Sequence, residues 1–146
     1  MKNLRQQLHN IPEPSMQEKK TKKTLIEFLQ AETDLKIVDC GSWFYAWKKG
    51  VNKTAQGAIA FRADMDAVSL DGKTVGHFCG HDGHSTILAM TGKKLTGKTT
   101  NRDVWICKRC DSASEGYLCL CIYRASYSYD RKPNSCSLSG KWKESI

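Results

Sequence analysis

The residues able to do chemistry are crowded into Cys79-Gly80-His81-Asp82-Gly83-His84, with Arg62-Ala63-Asp64-Met65-Asp66 a short way upstream. A thiol, imidazoles and a carboxylate are the donors a zinc-like ion accepts. The glycines let the backbone bend sharply and bring neighbouring side chains to one centre. The expectation is a metal site at the end of a strand, with Cys79 and His81 as the candidate ligands. A Cys-x-His pair on its own is more often structural. Asp66 reads equally as a turn-former or as a site residue.

Several elements must position this stretch. Residues 57–61 form a continuous apolar run, as expected of a strand covered on both faces, and lead directly into Arg62. Open α/β sheets place their chemistry at the carboxyl ends of such strands. Residues 84–95 read as a helix, with Ile87, Leu88, Thr91 and Leu95 at helical spacing. Upstream, residues 2–9 suit a short helix with Leu4 and Leu8 on one face, ended by Pro12 and Pro14. Ser15-Met16-Gln17-Glu18 reads as a capping box that opens a helix over about residues 16–31, with Leu25, Phe28 and Leu29 facing inward. Residues 35–39 and 43–48 are candidate strands, the second carrying Trp43, Phe44, Tyr45 and Trp47 as expected core. Residues 49–52 suit a turn, residues 67–76 a loop, and residues 103–106 a further strand. Helices interleaved with strands in this order predict an α/β fold.

The chain has 146 residues, enough for one domain, and a net charge of +8. The charge is spread along the chain; Lys19-Lys20 and Lys22-Lys23 are its tightest basic run and fall on a predicted helix, where a solvated face is the ordinary reading. No apolar run is long enough to span a bilayer, and residues 1–10 lack the apolar centre of a signal peptide. The expectation is a cytoplasmic chain with reduced cysteines, no membrane and no nucleic-acid partner. Composition divides the chain into residues 1–106 and residues 107–146. The second part holds five of the seven cysteines and four of the five tyrosines and loses apolar period, as an out-of-frame or disordered segment would. Cys107-x-x-Cys110 supports an alternative, a small basic module holding zinc on the cysteine-rich tail and meeting nucleic acid through its lysines.

Three segments carry a resemblance at matching relative places: Leu4-Arg5-Gln6-Gln7-Leu8-His9-Asn10-Ile11-Pro12-Glu13-Pro14-Ser15, Arg62-Ala63-Asp64-Met65-Asp66-Ala67, and His77-Phe78-Cys79-Gly80-His81-Asp82-Gly83-His84. Together they resemble the metallopeptidase-like amidohydrolases that include N-acyl-L-amino-acid amidohydrolases, hippurate hydrolase and auxin-conjugate hydrolases, over about residues 3–104. The resemblance implies part of a mixed-sheet α/β catalytic domain of the zinc aminopeptidase type, with helices on both faces and without the inserted dimerisation domain. It implies a site of two divalent ions, zinc or manganese, that hydrolyses the amide of a small N-acyl amino acid. Carried over, Cys79 and His81 would be ligands, Asp64 would orient one of them, and Asp82 and His84 would support the site from behind.

The sequence also departs from that pattern. Val104 is followed by Trp105-Ile106-Cys107-Lys108-Arg109-Cys110, where the family has a strand leading to a Glu-Glu pair that supplies the general base; Glu115 is the nearest acidic residue of that type. Val68-Ser69 stands where a proline is usual. A catalytic zinc takes about three protein ligands and the matching positions offer two, so a truncated chain without hydrolase activity is the expectation.

Overall fold

A computed structural model describes residues 2–52, 58–108 and 122–125. Its elements are α1 (Lys2–His9), α2 (Lys19–Glu32), β1 (Lys36–Asp39), β2 (Phe44–Lys48), β3 (Ala58–Ala63), β4 (Val68–Ser69), β5 (Val75–Gly76), α3 (His81–Leu95), β6 (Val104–Lys108) and β7 (Ile122–Ala125). The main sheet has the order β1-β2-β6-β3-β7, and β4 and β5 form a separate small ribbon. The α/β reading of the sequence holds.

β3 and β6 are parallel neighbours, with Ile59 opposite Val104 and Phe61 opposite Ile106. Parallel neighbours need a crossover connection, and α3 lies on that crossover. The other pairings in the sheet are antiparallel. Alternation along each strand then sorts the side chains by face. Phe44, Ala46, Ala63 and Ile106 join Leu4 and Leu8 of α1, Leu25 and Leu29 of α2, and Leu88 and Ala89 of α3 in one buried cluster. Gly92 permits the close approach of α3. A methyl group there would lie 3.0 Å from both Ile106 Cδ1 and Leu35 Cδ1.

Of the expected aromatic core, Phe44 is fully buried, whereas Trp43, Tyr45 and Trp47 are half-buried. Tyr45 and Trp47 alternate with Phe44 and so share the other face, where the Lys36 ammonium sits 5.4 Å from the Trp47 ring. A helical layer on that face, implied by the resemblance, is not seen among the described residues.

Two local expectations change. α2 starts at Lys19, with Glu18 at its N-cap and no hydrogen bond from the Glu18 side chain. The orphan amides are met instead by Glu13, whose carboxylate accepts from Lys20 N at 3.1 Å, Thr21 N at 2.8 Å and Thr21 Oγ1 at 2.9 Å. Met16 lies at φ +68°, which carries Ser15 away from a capping position. Residues 67–76, expected as loop, contain the β4–β5 ribbon, closed by Asp71 accepting from Lys73 N, Thr74 N and Thr74 Oγ1.

β6 runs to Lys108, and β7 pairs antiparallel with β3, so the compositionally distinct part of the chain contributes to the sheet. Cys110, Glu115, Cys119, Cys121 and Cys136 lie outside the described residues. Among the described residues no helix is long and apolar enough to cross a membrane.

In urea denaturation, Glu13→Ala should cost about 0.5–2 kcal/mol, the usual loss of a helix cap, while Ser15→Ala should stay within about 0.5 kcal/mol. The amides around Asp71 hold its carboxyl down to about 2. A depressed acid stabilises the fold above its unfolded value of about 3.9, so this contribution should persist to mild acid and vanish as the pH falls through 2. A carbon-detected NMR titration of Asp71 reads that midpoint directly.

Candidate functional site

The chemistry-bearing residues meet where β3 ends and α3 begins. Past Ala63 the strand stops, and Asp64, Met65 and Asp66 continue without regular secondary structure. Met65 is fully buried and roots the segment in the core, which leaves the aspartates on either side of it half-buried. The Ser85 hydroxyl of α3 donates to the Asp64 carbonyl at 2.8 Å and holds this segment against the helix.

α3 begins at His81, three residues before the start read from the sequence. The residue ahead of it, Gly80, adopts φ +74°, ψ 22°, a left-handed conformation that a side chain would resist. Residues 77–80 form a turn closed by Gly80 N donating to the His77 carbonyl at 3.0 Å. Cys79 stands exposed on this turn as a free thiol. His81 follows it within two residues, in the first turn of the helix.

His81 is held from β3's end. Its Nδ1 donates to Asp66 Oδ1 at 2.8 Å and lies 3.1 Å from the Asp66 carbonyl oxygen. That hydrogen bond raises the imidazole pKa above its ordinary value; burial opposes the shift, and the charges of Asp66 and Asp64 add to it. With Nδ1 committed, the opposite nitrogen is the one left to accept a proton or an ion. Asp64 is engaged elsewhere, its Oδ1 accepting from Arg62 Nη2 at 2.7 Å. The hydrogen-bonding partner of His81 is thus Asp66, and Asp64 contributes charge nearby.

Asp82 points the other way, into the junction of α1 and α3. Its side chain is 1% exposed. Its Oδ2 lies 2.7 Å from His9 Nδ1 and 3.0 Å from Arg5 Nε, and its Oδ1 accepts from Gly83 N at 2.8 Å. Burial works against its ionisation, yet the Gly83 amide, His9 and Arg5 outweigh burial and hold the carboxyl below its usual range. His77 is buried beside the same junction, with Nε2 donating to the Leu8 carbonyl at 3.1 Å. His84 is half-buried on α3.

One of these features was left open by the sequence and one was hidden from it. Asp66 gave the same signal as a turn residue, and the bond from His9 to Asp82 joins positions 73 residues apart, so no local pattern announces it.

No protein-family profile matches the chain. Relatives do. The chain is 36% identical over 95 residues to an N-acetyldiaminopimelate deacetylase of Bacillus velezensis, covering 58% of this chain and 25% of the relative. It is 32% identical over 99 residues to an N-acyl-L-amino acid amidohydrolase of Geobacillus stearothermophilus, covering 61% and 26%. Among solved structures, the Bacillus subtilis YXEP protein, a dinuclear metal-binding peptidase of the M20 family, superposes with a TM-score of 0.62 at 30% identity, over 73% of this chain and 33% of that one.

The resemblance is to the M20-type amidohydrolases. It is partial, because the chain spans about a quarter of the length of the curated relatives it matches. Within the matched segment the donor chemistry suits a divalent ion: an exposed thiol, and an imidazole whose second nitrogen is fixed by a carboxylate. The donor count is short of a full set. Among the described residues no three His, Cys, Asp or Glu side chains are gathered as an ion would gather them.

The opposed engagements of Asp64 and Asp66 can be separated by NMR. The His81 Nδ1–H resonance should lie far downfield in the unaltered chain and in Asp64→Asn. It should move upfield in Asp66→Ala, which leaves the carbonyl as the remaining acceptor.

Proposed function

We propose that this chain carries one wall of the divalent-ion site of an M20-type amidohydrolase, with Cys79 and His81 as ligands and Asp66 fixing the His81 tautomer. The observation that carries the proposal is the 2.8 Å hydrogen bond from His81 Nδ1 to the Asp66 carboxylate. Carboxylate-held imidazoles are the ordinary form of a histidine ligand, because the hydrogen bond sets the ring's orientation and makes the other nitrogen more basic. The naming of the YXEP protein as dinuclear supports a divalent ion here, and zinc suits the thiolate and imidazole donors better than manganese does.

When bound, such ions polarise an amide carbonyl and make a water acidic. The residues of this chain supply the setting. Asp66 orients His81, Asp64 adds negative charge that favours a cation, and the 77–80 turn presents the Cys79 thiol to solvent where an ion can enter. The names of the relatives support a small substrate with an acyl group on an amino acid nitrogen, such as an N-acetylated amino acid. Asp82 and His84 act behind the ligands and not on the ion.

Cobalt(II) titration tests the ligand set. The background should be the full chain with Cys107, Cys110, Cys119, Cys121 and Cys136 changed to Ser, so that the tail cannot hold the ion. A thiolate-to-cobalt absorption band should appear with the parent. Cys79→Ala should abolish the band, and Cys79→Ala and His81→Ala should each weaken binding by about tenfold or more. Asp66→Ala should weaken it by about 10- to 100-fold. Undiminished affinity in the Cys79→Ala/His81→Ala variant overturns the assignment.

A further inference from the structure

The ligand-bearing turn packs through little more than the Phe78 ring, which lies over Gly76. Phe78, Cys79 and Gly80 are exposed, and a Cβ placed on Gly80 or Gly83 would meet nothing within 4 Å. An exposed turn that ends on a glycine has many conformations available to it, so Cys79 needs a further hold to stay in register with His81, which Asp66 fixes.

The two residues that flank this stretch are both tied to the same short helix. On the N-terminal side, buried His77 donates through Nε2 to the carbonyl of Leu8 at 3.1 Å. On the C-terminal side, buried Asp82 takes His9 Nδ1 at 2.7 Å and Arg5 Nε at 3.0 Å on one oxygen. Leu8 and His9 are the last residues of α1, and Arg5 lies one turn earlier on it. α1 is itself anchored, since Leu4 and Leu8 are buried in the core. The contacts on α1 therefore bracket residues 78–81 from both ends.

We propose that α1 is a two-point clamp on the metal-binding turn, and that His77 and Asp82 are positioning residues acting through Cys79 and His81. This rests on the ligand assignment made above. The physical reason is geometric. Each tie alone fixes one end of the stretch and leaves the turn free to pivot. Both together, on a helix that cannot slide without exposing Leu4 and Leu8, fix the separation and direction of the two donors before an ion arrives. A preset donor pair spares the ion the cost of ordering the turn.

The test uses two readouts on the full chain in the tail-Ser background. Arg5→Ala/His9→Ala/Asp82→Asn removes both donors at two residues about half exposed and leaves no unpaired buried charge. Amide exchange at Gly80 and His84, whose hydrogen bonds define the turn and the helix start, is measured without metal. It should speed up by about tenfold or more, while amides of Leu25 and Leu29 in α2 keep their rates. Cobalt(II) affinity should fall by about tenfold or more in the same variant. His77→Leu should reproduce both changes, and His77→Gln, which keeps a donor for the Leu8 carbonyl, should restore them. Unchanged exchange at Gly80 and His84 in the Arg5→Ala/His9→Ala/Asp82→Asn variant overturns the clamp. So does unchanged cobalt affinity in that variant when the parent binds. A parent that takes up no cobalt overturns the ligand assignment instead, and the positioning role falls with it.

Discussion

The parallel pairing of β3 with β6 is the constraint on which the rest depends. Two parallel neighbours cannot be joined by a tight turn, so the chain must leave the end of β3, cross the sheet face and return to the start of β6. Residues 64–103 make that journey, and they contain Cys79 and His81 with Asp64 and Asp66. The end of β3 delivers Asp64 and Asp66, and the start of α3 delivers His81. They meet because the crossover begins and the helix starts at the same carboxyl end of β3. Gly92 lets α3 press close enough for Ile106 and Leu35 to fill the gap beneath it.

Polar groups at the margins of that core do the orienting. Glu13 acts twice: its carboxylate caps α2, and its carbonyl accepts from Ala67 N at 2.7 Å. One residue thereby links the start of a helix to the segment that carries Asp66. Asp82 does the same between α1 and α3. A buried carboxylate is tolerable only when its lone pairs are taken, and here an amide, an imidazole and a guanidinium take them. Surface ion pairs, such as Lys48 with Asp34 and Lys22 with Asp39, tie sheet to loop and helix to sheet at lower energy.

The contrast between the two aspartates after β3 has a simple chemical meaning. An imidazole has two nitrogens, and a carboxylate on one decides what the other can do. Asp66 takes Nδ1 of His81, whereas Asp64 spends its carboxylate on Arg62. Neither can stand in for the other. The thiol of Cys79 needs no such partner, and its exposure on the 77–80 turn gives it access to whatever the site receives.

The helices, most strands and the crowding of ligand-type residues were legible in the sequence, because apolar periodicity and short motifs are local. Leu4 with Leu8, Leu25 with Leu29, and the run ending at Phe61 each state their element within a few residues. Where a side chain found its partner far away, sequence reasoning stalled. Ser15 and Glu18 have the spacing of a capping box, yet Glu13 occupies the position, because the backbone at Met16 turns left-handed. The half-buried Tyr45 and Trp47 looked like core until strand pairing assigned them to the face opposite Phe44. By itself the sequence determined an α/β chain with a thiol and an imidazole set around one glycine. Only the tertiary structure decided that Asp66 holds His81 and that α1 grips Asp82, since those bonds join residues 15 and 73 positions apart, and their formation depends on how β3, α1 and α3 pack.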